Sequence, residues 1–321
     1  MKKFFLYMVT ILILSSFFLV GYGAYQYNTL NNRWYQPLNP PSVEDHGTTG
    51  TDHSSEPQPV TEREPMEPFT ILMMGVDSRG EKNSRSDTIM LAAVNPEKQK
   101  VLLFSLPRDT YVNIPGYGYE KLNHSMFFGG PGLVKQTVEK FLDIKIDHYV
   151  TVDFEGFRLV IDELGGIEID VEKRMKYIDP TDGTNIDLQP GEQILDGKNA
   201  LDYARYRLSS IGGNDSDFQR MERQQKVIKA MIDKGTQFTS LFKVFSIMDI
   251  MGDHVRTDLT QKQISTLITR FADFSSDKIE TTDVRGVSQR MPYTENLSLW
   301  FYVVDDGEKA RLKEMIEKVL N

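Results

Sequence analysis

The run from Phe4 to Tyr25, FFLYMVTILILSSFFLVGYGAY, carries no charge and follows Met1-Lys2-Lys3. At about 1.5 Å per residue it is long enough to cross a hydrocarbon core of about 30 Å. A segment apolar on every side at the extreme terminus does not suit a soluble helix. Gly21 to Ala24 offer small residues for signal-peptide cleavage. The run nevertheless exceeds the usual apolar core of about 7–15 residues, which favours a retained anchor. Residues 1–3 are therefore expected as a cytoplasmic tip and 4–25 as a transmembrane signal anchor. The two lysines hold the N-terminus inside, so the bulk of the chain is exported: a single-pass type II protein of the cell membrane.

Residues 26–68 change character. Their stretch NPPSVEDHGTTGTDHSSEPQPVTEREPMEP is rich in Pro, Ser, Thr, Gly and charge, which predicts a flexible extracellular stalk. His46 and His53 within it read as solvated residues. From Phe69 to residue 321 the chain reads as one globular domain. Apolar residues make up 40% of the sequence, enough for a sizeable core. The 37 Lys and Arg against 46 Asp and Glu give a net charge of −9, which argues against a nucleic-acid partner. With no cysteine, disulfides, thiolate metal sites and cysteine nucleophiles are excluded.

Within 69–321, FTILMMGV (69–76), TIMLAAV (88–94) and VLLFSL (101–106) are apolar on both faces, as strands covered on both sides require. Asn95-Pro96-Glu97-Lys98 marks a turn between the last two. Helical patterns follow at 130–142, 155–164, 196–206, 217–234, 239–251, 261–274 and 307–320. Further strands are expected at 148–154, 167–173 and 278–284. This order predicts an α/β fold, a three-layer α/β/α sandwich with a central mixed sheet, preceded by one N-terminal transmembrane helix.

The strand order places chemistry at one sheet edge. Strand 69–76 ends at Asp77, and a loop carrying Arg79 and Arg85 leads to Asp87 at the start of the next strand. The hairpin then returns the third strand to Arg108 and Asp109 at the same edge, where α/β sheets commonly bind ligands. Clustered carboxylates need a cation between them, and clustered guanidiniums an anion. A divalent metal on the aspartates and a phosphate or pyrophosphate on the arginines satisfies both. Oxygen-only ligands suit Mg²⁺.

The second half adds more arginine. Arg205 and Arg207 in YARYRL diverge by about 200° on a helix but share a face on extended chain, so a helix ending there points both one way. In DFQRMERQQKVIKAMI (217–232), Phe218, Met221, Ile228 and Ile232 form the expected core stripe. Arg220, Arg223 and Gln224 fall on an adjacent face. Arginine in preference to lysine suggests a binder of planar oxyanions. Gly75 to Gly80 fails as a P-loop because Glu81 follows where Lys is needed. Neither G-x-S-x-G nor H-E-x-x-H occurs. The loop DPTDGTNID (179–187) lacks calcium-loop spacing, Asp215-Ser216-Asp217 is too short a motif to carry weight, and His124 and His148 read as structural.

Taken in order, LMMGVDSRG, RSDTIML, SLPRDTYVNIPG, EKLNHSMFFGG, VIDELGGIEIDV, LDGKNALDYARYR and DFQRMERQQKVI resemble the LytR-CpsA-Psr family of Gram-positive cell-wall enzymes across about residues 70–232. The resemblance implies an α/β/α fold with an apolar pocket for a polyprenyl tail. It implies a phosphotransferase that moves a glycopolymer, such as wall teichoic acid, from undecaprenyl pyrophosphate to the N-acetylmuramic acid 6-hydroxyl of peptidoglycan. By the same resemblance Asp77 and Asp87 hold Mg²⁺ (or Mn²⁺). Arg85, Arg108, Arg205, Arg207 and Arg220 grip the pyrophosphate with Gln224 alongside, and Arg79, Lys121 and Arg223 are further candidates for it. Arg108, Asp77, Arg85, Arg205 and Arg207 are the expected catalytic set, with Asp77 or Asp109 as general base. The tail lining is expected from 241–251 and from Phe157, Val160 and Leu164, residues that also suit an ordinary core. Hydrolysis of polyprenyl pyrophosphates, or non-catalytic binding of lipid carriers or wall polymer, are the alternatives.

Overall fold

The computed structural model describes residues 33–38, 66–76, 86–181, 183–236, 247, 249–250, 252–294 and 297–321. The anchor reading over 4–25, the loop residues Asp77, Arg79 and Arg85, the Asp87 side chain and nearly all of the 239–251 helix lie outside the described residues. Among the described residues no helix is long and apolar enough to cross a membrane.

In chain order the first half runs β1 (Phe69–Val76), β2 (Ser86–Asn95), β3 (Lys100–Ser105), β4 (Tyr111–Ile114), β5 (Gly118–Lys121), α1 (His124–Leu142), β6 (His148–Asp153), α2 (Phe154–Glu163) and β7 (Ile167–Val171). There follow β8 (Met175–Asp179), β9 (Thr184–Leu188), β10 (Gly191–Leu195), α3 (Gly197–Arg205) and α4 (Asp217–Thr236). The last third holds β11 (Val255–Thr257), α5 (Gln261–Arg270), a 3₁₀ turn, β12 (Ile279–Thr281), β13 (Val287–Thr294), β14 (Leu297–Val303) and α6 (Asp306–Leu320).

The central sheet has the order β11-β6-β1-β2-β3-β12. It is mixed: β1 runs parallel to β6 and β3 to β12, while the other neighbours are antiparallel. Both faces of β1–β3 are apolar, and alternate residues serve each. Leu72, Met74, Leu91 and Phe104 meet Val134 and Val138 of α1 and Leu312 and Ile316 of α6. Met73, Met90, Ala92 and Leu103 meet Ile228 and Ile232 of α4 and Leu267 of α5. Helices therefore cover both faces of the expected mixed sheet. A second cluster, Ile161, Ile169, Tyr203, Tyr206 and Val227 among it, ties α2 and α3 to α4 and to the β7–β10 hairpins.

Several local expectations are corrected. The strand at 167–173 stops at Val171 and pairs with β10 in a sheet of its own. The hairpins β4–β5, β8–β9 and β13–β14 are additions, because short half-exposed strands lack a distinct apolar alternation. Helix α1 begins at His124, before the expected Gly130, but Gly129 and Gly130 are non-helical and Pro131 opens its regular part. Phe218 is 40% exposed and is no part of the core stripe; it leans edge-on against Tyr302. The 26–68 tract is not wholly a stalk. Trp34 is fully buried, and Tyr35 bridges Thr257 of β11. The Gln36 N–H donates to the Thr257 carbonyl at 2.8 Å, and the Tyr149 hydroxyl to the Gln36 carbonyl at 2.6 Å. One buried indole and one strand-like bridge outweigh the polar composition around them.

Candidate anion-binding active site

The β1–β2 and β2–β3 registers bring three strand ends together. Val76 pairs with Ser86, Met90 with Ser105, and the parallel neighbour pairs Val76 with Asp153. The chain beyond β3 therefore delivers Arg108 to the edge that also holds Thr88 of β2 and Phe154 just past β6, and all three line one cleft. The register slips between Gly75 and Val76, so Asp87 is the extra residue of a β-bulge. Bulges re-aim a strand beside active sites. The buried Ser86 hydroxyl lies 3.1 Å from the Gly75 carbonyl and 2.7 Å from that of Thr88, sharing its proton across the bulge.

Two further segments complete the cleft, whose volume is about 350 Å³. Helix α3 ends at Arg205, and Tyr206 leaves helical geometry at φ −55°, ψ 124°. Arg205 and Arg207 consequently line the same cleft. The Arg205 guanidinium lies 4.7 Å from the centroid of the Phe154 ring, a cation–π contact that fixes its direction. Arg220 and Gln224, one turn apart on α4, form the facing wall. A larger groove of about 510 Å³ runs between β7 and α4, but its lysines alternate with carboxylates and neutralise one another. The smaller cleft gathers four arginines, Arg108, Arg205, Arg207 and Arg220, against two aspartates, Asp179 and Asp202, and is the candidate site.

Asp217 is the residue that sequence reasoning passed over. Its carboxylate lies 3.1 Å from Arg220, 3.5 Å from Arg207 and 3.8 Å from Arg108. It begins α4 and draws three guanidiniums from three segments together, so their mutual repulsion is screened without a ligand. The short acidic motif thus splits: Asp217 serves the cleft, whereas Asp215 turns inward to Lys173 and Arg223. Asp202, also in the cleft wall, has its carboxyl pushed up by burial against the opposing pull of Lys198 and Arg205.

Two expected anion ligands sit elsewhere. Arg223 is buried in the interior, 2.9 Å from both Glu172 and Asp215, and donates to the Tyr206 carbonyl. The Asp215 contact is an ion pair by distance, without hydrogen-bond alignment. Helical spacing predicted a shared face for Arg220, Arg223 and Gln224, but α4 is covered on two sides and only one of those sides meets the cleft. Lys121 is outside the cleft wall, with its ammonium 2.8 Å from Asp109. That pair also commits Asp109, one of the two expected bases. His124 and His148 have carboxylate partners in Glu120 and Asp258.

Among the described residues no group of three His, Asp or Glu forms a cation cage. The expected metal pair is nonetheless compatible with the backbone. The bulge puts Asp87 beside the end of β1, from which Asp77 follows directly, and a carboxylate-only donor set suits a hard divalent cation.

The sequence pattern described as the LytR_cpsA_psr family matches residues 35–318. A polyisoprenyl-teichoic acid–peptidoglycan teichoic acid transferase TagU of Oceanobacillus iheyensis is 37% identical over 252 residues, 77% of this chain and 74% of that one. The crystal structure of Bacillus subtilis TagV superposes with a TM-score of 0.68 at 30% identity, covering 79% of this chain and 97% of that one. A structure of the LytR-CPS2A-psr family protein YwtF (TagT) with bound octaprenyl pyrophosphate lipid gives 0.59 at 26% identity, over 82% of this chain and 94% of that one. A signature that spans nearly the whole described domain, on a matching fold, places this chain in the LytR-CpsA-Psr family.

Proposed function

We propose that this chain is a membrane-anchored, extracellular phosphotransferase that moves a teichoic acid from a polyprenyl pyrophosphate carrier to peptidoglycan. The observation that carries this reading is the convergence of Arg108, Arg205, Arg207, Arg220 and Gln224 from three chain segments on one cleft. Planar guanidinium forks match the paired oxygens of a pyrophosphate and stabilise charge as it develops on them. The relative from Oceanobacillus iheyensis is named for this transfer, and YwtF (TagT) holds a polyprenyl pyrophosphate lipid.

In the finer reading the carrier is undecaprenyl pyrophosphate and the acceptor is the N-acetylmuramic acid 6-hydroxyl. The acceptor oxygen attacks the phosphorus that bears the glycopolymer, and a phosphodiester bond forms. The P–O bond to the other phosphate breaks, and polyprenyl phosphate leaves with the electron pair. The hydroxyl proton passes to a carboxylate, for which Asp77 is the candidate now that Asp109 is paired with Lys121. Arg108, Arg205 and Arg220 hold the departing phosphate throughout, and Asp217 is released from Arg108, Arg207 and Arg220 as the ligand enters. Asp77 and Asp87 would hold a divalent cation, which would supply further charge stabilisation at the phosphoryl oxygens.

The test uses the full-length chain with Mg²⁺, a polyprenyl-pyrophosphate-linked teichoic acid precursor and peptidoglycan oligomers, followed by mass spectrometry. A phosphodiester adduct that falls at least about a hundredfold in Arg108→Ala is expected. Polyprenyl phosphate released without an adduct replaces the reading with hydrolysis. Binding without turnover replaces it with a lipid-carrier binding module.

A further inference from the structure

We infer that the hairpins β4–β5 and β13–β14 form a saccharide-binding groove, and that it holds the glycan strand of the acceptor beside the arginine cleft. The inference rests on the transferase reading for the identity of the saccharide, but the groove itself stands on its own geometry.

The groove has a volume of about 370 Å³ and is lined by Tyr111, Tyr119, Glu120, Tyr293 and Phe301, with Met291 and Pro292 at its rim. Its rings are held in fixed mutual geometry. Tyr111 stacks on Tyr119 at 4.9 Å, and Phe301 meets the Tyr111 ring edge-on at 5.1 Å. Tyr119 is 61% exposed and Tyr293 41%, so two broad aromatic faces stay open to solvent. Rigid rings with hydroxyl tips suit the apolar faces and polar rims of pyranose rings. A packed core has no use for tyrosines left this open.

The floor selects among glycans. Glu120 is buried, and one carboxylate oxygen accepts from the Tyr293 hydroxyl at 2.7 Å while the other lies 2.9 Å from His124 Nδ1. A carboxylate so positioned retains lone pairs for sugar hydroxyls. Its charge repels a polyphosphate chain. The groove thus fits a strand whose rings offer hydroxyls, and rejects the anionic polymer carried by the donor.

Its position ties it to the chemistry. Tyr111 lies three residues beyond Arg108, just past a turn closed by the Thr110 N–H donating to the Pro107 carbonyl at 3.0 Å. Residues next to the two linings are joined: the Tyr302 N–H, beside Phe301, donates to the carbonyl of Asp109, beside Arg108, at 2.8 Å. Lys121 joins them too, with its ammonium 2.8 Å from Asp109 and 5.7 Å from the centre of the Phe301 ring. A strand lying in the groove brings a sugar hydroxyl to the mouth of the arginine cleft.

Full-length protein titrated with a stem-free peptidoglycan tetrasaccharide, by calorimetry and saturation-transfer NMR, tests this. Tyr119→Ala and Tyr293→Ala are expected to weaken binding about five- to tenfold each. Trp300→Ala is the control, because Trp300 is 59% exposed and points to the other face of β14 from Phe301. In transfer assays both tyrosine variants should raise the acceptor KM and leave donor affinity unchanged. Saccharide affinity unchanged in both correctly folded variants overturns the proposal, as does displacement of the saccharide by free teichoic acid polymer. Arg108→Ala separates the two readings. If transfer survives that change the role given to the arginine cleft fails, and if the unmutated protein forms no adduct the transferase reading fails, whereas the groove is still judged by the titration alone.

Discussion

Arg220 and Arg223 are three residues apart on α4 and do different work. Arg220 faces the cleft, whereas the Arg223 side chain is 1% exposed and packs against Asp215, itself 2% exposed. Removing one partner of a buried pair leaves the other charge poorly compensated. Arg223→Met is therefore expected to cost about 3 kcal/mol in chemical denaturation, with Lys173 limiting the loss by staying on Asp215. Arg108→Ala should leave stability nearly unchanged and remove transfer, which separates the two arginine roles experimentally. A pH dependence arises beside them. Burial pushes the Glu172 carboxyl up, but its own backbone N–H, Arg223 and Tyr203 together hold it below its ordinary value. A carboxyl with a lowered folded pKa adds stability above its unfolded value, about 4.3, and loses it as pH falls through the folded one. Glu172→Gln should thus flatten the acid limb of a stability-against-pH curve below about pH 4.3 and leave its neutral shape unaltered.

Helix α3 is aimed by its N-terminus. Asp196 caps it by accepting from the Asn199 N–H at 2.8 Å, and the Gly197 N–H donates to Asp162 at 2.7 Å. A Cβ on Gly197 would lie 2.1 Å from the Arg158 carbonyl oxygen of α2, so the two helices touch backbone to backbone there. Gly197→Ala forces them apart. It is expected to cost about 1–3 kcal/mol and, by tilting α3, to weaken pyrophosphate binding through Arg205 without touching the cleft. Thermal melts and calorimetric titration read the two effects separately. At this scale the sequence was most informative where residues were apolar on both faces. Strands β1, β2 and β3 were legible, because burial on two sides leaves little choice of residue. The hairpins of the aromatic groove were not, because Gly116, Gly118 and Pro292 interrupt them and half of each strand faces solvent.

Among the described residues three apolar clusters, drawn from the strands and helices, form the core. Stripping divalent cations should therefore abolish transfer while the far-UV circular dichroism and the unfolding midpoint stay unchanged. Adding a polyprenyl pyrophosphate analogue at about a hundred times its Kd should raise stability by about 2.7 kcal/mol, and less in Arg108→Ala. Added salt should weaken that gain, since guanidinium–phosphate attraction at a half-open cleft is screened.

Covalent order alone determined that β1 leaves where β2 enters and that β3 returns to the same edge. Hairpin geometry allows no other outcome, so the delivery of Arg108 there was readable from spacing. Arg205 and Arg207 were readable too, because two residues on extended chain share a side. Tertiary structure decided what no spacing contains. It turned Arg223 inward, brought Arg108 to Asp217 beside its nearer partners Arg207 and Arg220, buried Trp34 within a polar tract and assembled tyrosines from two hairpins into one groove. The long-range contacts among these, Arg223 to Glu172, Arg108 to Asp217 and Tyr293 to Glu120, join residues far apart in the chain. A helix or strand specifies which side chains share a face, but only its packing decides whether that face meets core, solvent or ligand.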